Sequence, residues 1–230
     1  MPPIDRSSLR DLWRVLEEDR QRLIEQEIKN ISDLFLQESK EVEAALAHGH
    51  QAVMQAIHLN GPRWKNLIQN IWVKMGHRYG NVLLDRFQKS WQPFGFIRQA
   101  ARHARTAANI IVATTKRRVG RLVSEMGDKA LDDLNALYTH WSHLRARFIT
   151  ENEVRGGVGS AEEEAARQSR RPIRKTWISM QDELVRDTHQ EFDGTSKGLT
   201  GEWAPGLRYP RCSSAAPEEI LGCRCHLVWT

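Results

Sequence analysis

The feature that most constrains this chain is a long uninterrupted helical pattern near its start. After Pro3, no glycine or proline occurs before Gly49. Apolar residues recur there at spacings of three and four, which is the pattern of an amphipathic helix. These residues are Leu9, Leu12, Trp13, Leu16, Leu23, Ile24, Ile28, Ile31, Leu34 and Phe35. Ser7 or Ser8 can cap the helix, and forty helical residues span roughly 60 Å.

A helix of that length has three possible roles. It suits a coiled-coil seam, an arm that docks on a partner, or one member of the protein's own bundle. We favour the bundle. The tripeptide Asn60-Gly61-Pro62 predicts a break, followed by a second helix from 63 towards 91. Residues 93–95 close that helix, and a third begins near Phe96. Its apolar periodicity continues to Leu144, with possible interruptions at Gly120 and Gly127.

The composition changes after Glu151, where glycine, proline and short alternating segments become frequent. The predicted elements there are a turn or hinge at 156–160, helices at 161–170 and 182–192, strands at 175–180 and 223–229, and a loop at 193–216. The expected fold class is therefore α+β. An elongated, mostly helical region (residues 1–150) precedes a small α+β module (residues 151–230).

Composition excludes several classes of protein. The chain has 230 residues and no apolar run of about 18, so we expect no membrane span and no membrane partner. Its first residues lack the apolar core of a secretory signal, which predicts folding in the cytosol. Its three cysteines all lie within the last nineteen residues. An odd number in a reducing compartment argues against a disulfide framework.

Charge is distributed unevenly. Residues 1–48 contain eleven acidic and seven basic side chains, whereas residues 86–124 contain nine lysines or arginines and no acid. Such asymmetry indicates a partner surface, although a solvated helix face is the usual explanation of a charge run. The candidate partner-binding residues are Arg98, Arg102, Arg105, Lys116, Arg117, Arg118 and Arg121.

Several short motifs follow one another in the last third of the chain. They are KTWIS at 175–179, VRDTH at 185–189, Asp-Gly at 193–194, PGLRYP at 205–210, APEEI at 216–220 and Cys-Arg-Cys at 223–225. This order closely resembles the C-terminal module of the phage Mu F-like family of head morphogenesis proteins. Thr150-Glu151 resembles the Thr-Glu that often opens that module. Cys212 departs from the family pattern, which commonly has an aspartate after the Tyr-Pro turn. The resemblance covers about one third of the chain and leaves the first 150 residues unmatched.

The resemblance implies a structural protein and not an enzyme. A member of this family is expected to be a low-copy minor head protein of a tailed bacteriophage or prophage, acting in head morphogenesis and genome packaging, retention or delivery. Its implied partners are the portal protein, the major capsid protein and packaged double-stranded DNA, which the basic residues could contact. Its implied location is the head interior or portal vertex of the virion, with host cytoplasm during assembly.

Two alternatives remain open. One is a DNA-binding packaging factor that is not retained in the particle. The other is a Mu F-type module of a toxin-like enzyme, against which the first 150 residues count because they contain no recognisable enzyme domain.

The clustered cysteines predict a zinc site. Cys223 and Cys225 are the proposed ligands, with His189 and Cys212 completing a tetrahedral set. His226 should not be a ligand, because on a strand it alternates to the face opposite Cys223 and Cys225. Cys-x-Cys differs from the usual Cys-x2-Cys, so the cysteines could instead be buried small side chains or form a disulfide.

Asp187, His189 and Asp193 could also be interpreted as a catalytic cluster. On a helix, His189 and Asp193 share a face, whereas Asp187 points elsewhere. Such a pair more often orients a loop or caps a helix end. We find no second paired carboxylate, glycine-rich phosphate loop or nucleophile motif, so the sequence predicts no catalysis.

Overall fold

The computed structural model describes residues 6–230, except for the side chains of residues 6–9, 12 and 128. The helices are α1 (Arg6–Leu46), α2 (His50–Leu59), α3 (Gly61–Asp85), α4 (Phe94–Met126), α5 (Leu131–His140), α6 (Ala146–Ser169), α7 (Asp187–Phe192) and α8 (Pro217–Ile220). The strands are β1 (Arg174–Ile178), β2 (Ser196–Gly198) and β3 (His226–Trp229). This arrangement confirms the expected fold class, long helices followed by a small α+β region.

The chain divides into two compact units. The helical unit comprises Glu25–Ile71 and Arg98–Thr150. The mixed unit comprises Trp72–Ile97, Glu151–Thr230 and the described residues that precede Glu25. Residues 151–230, predicted as the C-terminal module, therefore form one of three segments of the mixed unit.

Aromatic side chains fill the core of the helical unit. The ring of Phe35 lies edge-on to Trp64, with centroids 4.7 Å apart, and it also packs against Trp141. All three rings are almost completely buried, as are Ile31 and Ile57. The three-and-four apolar spacing read from the sequence thus produces the buried faces of these helices.

Local backbone signals end the helices of this unit where the sequence predicts breaks. Gly49 adopts φ 84°, a conformation that favours glycine, between α1 and α2. Asn60 separates α2 from α3. Gly127 adopts φ 56° and ends α4, and a short 3₁₀ turn follows it. Gly120 does not interrupt α4, and its backbone is helical. The side chain of Met54 lies beside it.

The sheet of the mixed unit is antiparallel, in the order β2-β1-β3. Thr176 of β1 pairs with Ser196 of β2 on one side and with Val228 of β3 on the other. From Lys175 to Ile178 every side chain of β1 is buried. This central strand carries Trp177 into the core, and the pairing ends where Ile178 meets His226.

The prediction of a turn or hinge at residues 156–160 is wrong, because these residues lie within α6. The glycines are explained by close packing instead. A Cβ on Gly159 would lie 2.6 Å from the Tyr209 ring, and one on Gly157 would lie 3.2 Å from Met75. Glycine is therefore needed because neighbouring side chains approach the helix backbone, which no local pattern reveals.

Several predicted boundaries also need correction. The helix predicted from 182 begins at Asp187, because a turn closed by a 3.1 Å hydrogen bond from Val185 N–H to Asp182 C=O precedes it. The strand predicted from 223 begins at His226, opposite the last residue of β1. The predicted loop at 193–216 contains β2, and α3 ends at Asp85 instead of continuing towards 91.

Within the described part of the chain, no helix combines the length and apolar character needed to cross a bilayer.

Candidate metal centre

Three potential metal ligands meet inside the mixed unit. His189 is supplied by α7, and Cys223 and Cys225 by the segment between α8 and β3. Their ligand atoms all lie within 4.8 Å of one another. The Nδ1 atom of His189 is 3.6 Å from Cys223 Sγ and 3.5 Å from Cys225 Sγ. The residues are 1%, 2% and 4% exposed, so this group could hold a metal ion away from bulk solvent.

The second nitrogen of His189 is held by a carboxylate. His189 Nε2 lies 2.9 Å from Glu219 Oε2, and the Thr188 hydroxyl donates to the same oxygen. A proton on Nε2 donates to this carboxylate and leaves Nδ1 free to bind a cation between the sulfurs. Metal-binding histidines usually have this second contact, which fixes the tautomer and the ring orientation.

Aromatic rings build the wall behind His189. Trp177 of β1 lies edge-on to the imidazole, with centroids 5.1 Å apart. Phe192 and Trp203 pack against Trp177 in turn. The imidazole therefore has little freedom to rotate.

The two thiols are electrostatically coupled. Hydrogen bonding from Cys225, and then from His189, lowers the pKa of Cys223 well below its usual range despite burial. The thiolate at Cys223 and burial raise the pKa of Cys225 well above its usual range. Without a cation, the pair therefore favours one thiolate, at Cys223, beside one protonated thiol, at Cys225, because two adjacent negative charges oppose each other.

Cys212, the fourth predicted ligand, lies outside this group. Its sulfur is fully buried and is 3.6 Å from the Ser214 hydroxyl. The backbone N–H of Cys212 donates to Tyr209 C=O, so it belongs to the turn whose Tyr209 ring packs on Gly159 of α6. The packing of Tyr209 on α6 holds Cys212 away from the other three residues. The predicted four-ligand set is therefore reduced to His189, Cys223 and Cys225.

His226 is not part of the group either. The predicted reason, alternation along one strand, does not apply, because Cys223 and Cys225 precede β3, which begins at His226. The Nε2 atom of His226 lies 3.0 Å from Glu17 Oε2, and the His226 ring is edge-on to Trp13. Burial lowers the pKa of His226 to about 3, so the ring is neutral and donates to the carboxylate.

Glu17 is the centre of a buried ionic cluster in the mixed unit. The Arg155 guanidinium donates to both of its oxygens, one bond measuring 2.6 Å. Although burial opposes ionisation, the hydrogen bonds from His226 and Arg155 lower the pKa of Glu17 well below its usual range. The indole N–H of Trp13 donates to the backbone carbonyl of Arg224, between the two cysteine ligands.

Asp193 has a positioning role. Its carboxylate accepts from the Ser179 backbone N–H at 2.7 Å and from Gln181 Nε2 at 2.8 Å. Asp187 is exposed at the start of α7. The interpretation of Asp193 as a residue that orients a loop therefore fits its contacts.

Lys175 contributes to the core beside the centre. Its ammonium group donates to Arg208 C=O at 2.6 Å and lies 5.2 Å from the Trp203 ring centroid. Burial lowers the pKa of Lys175 to about 8. The lysine of the Lys-x-Trp motif thus ties β1 to the loop that contains Tyr209.

The seven basic candidates all lie on α4, in the helical unit. Six are exposed and Lys116 is half-buried. Among the described residues, none of them forms an ion pair. At 100° per residue, Arg98, Arg102, Arg105 and Lys116 share one face, whereas the other three point away from it. An open cavity of about 660 Å³ is lined by Arg117, Arg118 and Arg121, and also by Glu125 and Asp133.

The sequence analysis missed Glu17 and Glu219. Glu219 lies within the APEEI motif, but it is thirty residues from His189, and no spacing rule joins them. Glu17 lies in the long helix, where its charge is typical of a solvated face.

Comparison with known proteins adds no relative: no family model, curated protein or solved structure matches this chain.

Proposed function

We propose that this protein is a portal-associated minor head component of a tailed bacteriophage or prophage. One observation carries the proposal. The residues through which the chain resembles the Mu F-like family belong to one connected site. His189, Cys223 and Cys225 form one group, Trp177 packs edge-on against His189, and Lys175 and Asp193 hydrogen-bond to the backbone beside it. Separate motifs that meet in one site support a common origin for the module.

The test of this role is association with the portal. The full-length protein should co-purify with portal oligomers encoded by the same genome. It should also occur in mature particles at far lower copy than the major capsid protein. Its absence from particles, or its presence in hundreds of copies, would contradict the portal role.

Within this role, we propose that the centre binds zinc through His189 Nδ1, Cys223 Sγ and Cys225 Sγ. Thiolate and imidazole donors together favour zinc, and the partner carboxylate on the second imidazole nitrogen suits a metal-bound histidine. Bound zinc would cross-link α7 to the segment that enters β3. The helices joined there, α7 and α8, are short, and the segments around them contain little regular structure that could stabilise them otherwise.

Metal analysis tests zinc directly. The purified protein should contain about one zinc per chain, and Cys223→Ser should lose it. Cys212→Ser is the matched control, because Cys212 is equally buried but lies outside the group, so it should retain the metal. Metal-free wild-type protein with an intact mixed unit would contradict the zinc proposal.

A DNA-binding packaging factor is the second candidate function. The exposed arginines of α4 favour it, because they form no ion pair with the side chains that the structure describes and can neutralise phosphates directly. DNA affinity should fall steeply between low and moderate salt. Replacing Arg98, Arg102 and Arg105 by alanine should make the salt dependence shallower. Salt-insensitive binding would assign these residues to protein contact instead.

A further inference from the structure

We propose that the metal in this centre takes its fourth ligand from outside the chain, and that this ligand is a water molecule. The inference rests on the zinc binding proposed above. Zinc in proteins is almost always four-coordinate in structural sites, and three protein ligands leave one position open. The chain offers three donors to a common point.

The donors nearest to the group are otherwise engaged. Glu219 binds the far nitrogen of His189 through Oε2 and lies outside the group. Both oxygens of Asp193 accept hydrogen bonds from the 179–181 segment. No other His, Cys, Asp or Glu in the described residues places a ligand atom within the group.

The thioether sulfur of Met180 is a further potential metal ligand, but it already accepts a hydrogen bond. Met180 lines the cavity beside the centre, yet its Sδ accepts a 2.7 Å hydrogen bond from Arg224. Arg224 is anchored in turn by two hydrogen bonds to Asp182. Moving Met180 onto the ion would break this chain of contacts.

The space beside the donors limits what can bind. A cavity of about 10 Å³ is lined by His189, Cys223 and Cys225 together. That volume holds about one water-sized sphere. Leu184 and Val185 contribute apolar wall, so the ligand is small and is bound chiefly through the metal. This volume is close to the smallest that holds one water, so water is the external ligand that fits it best.

An open coordination position changes the chemistry that the bound zinc can support. A closed four-ligand zinc site is only a structural cross-link, whereas an open position holds an exchangeable ligand. A zinc-bound water is far more acidic than bulk water, with a pKa that can reach about 7. The centre would therefore both stabilise the mixed unit and hold a water ligand in its interior.

X-ray absorption on the full-length zinc protein tests the ligand count. Two sulfurs and two nitrogen or oxygen ligands are expected for the wild type. The same count is expected for Cys212→Ser, which removes the remaining cysteine. Three sulfurs in the wild type, falling to two in Cys212→Ser, would overturn the inference and restore Cys212 as a ligand.

Solvent exchange provides the second measurement. Cobalt-substituted protein should enhance the relaxation of solvent water protons, because its bound water exchanges with bulk. A cobalt protein without this enhancement would overturn the inference while leaving metal binding intact. A chain that binds neither zinc nor cobalt would instead refute the zinc proposal, so the two failures are distinguishable.

Discussion

Each of the two compact units of this protein is stabilised internally by a different kind of interaction. In the helical unit, long helices bury apolar and aromatic faces, and Phe35, Trp64 and Trp141 form the centre. In the mixed unit, α1 and α6 instead bury charged side chains, Glu17 and Arg155, and His226 of β3 joins them. Regular helices can be stabilised by the area that they bury, which is not directional. Buried charges such as those on α1 and α6 depend instead on specific hydrogen bonds and ion pairs, each of which is costly to break.

Buried glutamates of the two units have pKa values shifted in opposite directions. Glu38 is a fully buried acid of the helical unit, and it accepts hydrogen bonds from Trp64 Nε1 and the Tyr138 hydroxyl. Burial raises the pKa of Glu38, whereas the pKa of Glu17 in the mixed unit is lowered. The difference arises because Glu17 directly contacts a guanidinium and Glu38 has only neutral donors in contact.

The largest expected effect is the loss of the proposed metal. Cys223→Ser should unfold much of residues 151–230, because metal binding to such sites contributes on the order of 10 kcal/mol that is coupled to folding. The helical unit, which contains none of the ligands, should keep its slow amide hydrogen exchange. Hydrogen exchange resolved by segment measures both. Equal loss of protection in the two units would contradict the contrast between them.

The next effect tests the ionic cluster of the mixed unit. Glu17→Gln should lower the free energy of unfolding by about 3–5 kcal/mol, because it leaves the Arg155 guanidinium buried without its counter-charge. Asp11→Asn is the control, since the Asp11–Arg14 pair on the same helix is exposed and should contribute almost nothing. Chemical denaturation of the full-length protein measures both. A Glu17→Gln loss no larger than that of Asp11→Asn would rule out a stabilising role for the cluster.

A smaller effect tests the close packing of α6. Gly159→Ala should destabilise the mixed unit by about 1–3 kcal/mol, because the new Cβ would overlap the Tyr209 ring. Gly156→Ala, on the same helix, brings its Cβ no closer than 3.6 Å to any atom. It should be neutral or stabilising by up to about 1 kcal/mol, since alanine favours helix. Thermal unfolding of the pair distinguishes packing from a hinge, because a hinge would tolerate both substitutions alike.

The smallest expected effect is a pH dependence in the stability of the helical unit. The pKa of Glu38 is raised from 4.5, so above about pH 4.5 the unfolded chain loses a proton that the folded chain retains. The contribution of Glu38 to the free energy of unfolding should therefore fall as pH rises through that range. Glu38→Gln should remove this dependence.

Glu41 is the matched control for this pH dependence. Although partial burial opposes it, hydrogen bonds from Arg63 and Asn60 lower the pKa of Glu41, so its contribution is lost as pH falls. Glu41→Gln should therefore change the pH profile of unfolding in the opposite sense. The same sign for both variants would contradict the assignment of a buried, uncompensated acid to Glu38.

Local signals were sufficient for most of the helical pattern. The apolar spacing from Leu9 to Phe35 and the breaks at Gly49, Asn60 and Gly127 could be read directly, because helix periodicity and backbone conformation depend on near neighbours. The residue types of the metal centre were also predictable, since thiols and imidazole are scarce and were clustered. The same local reasoning failed at Gly157 and Gly159, whose role depends on Met75 and Tyr209, distant in the chain.

The sequence by itself determined that the chain would be mainly helical, that its C-terminal region would be α+β, and that His189, Cys223 and Cys225 were candidate ligands. Only the tertiary structure decided which candidates meet. Pairing of β1 with β3 brings the Cys223–Cys225 segment to α7, while packing of Tyr209 on α6 holds Cys212 elsewhere. The reason is physical: a helical face repeats every 3.6 residues, but a site built from segments more than thirty residues apart depends on strand register and long-range packing.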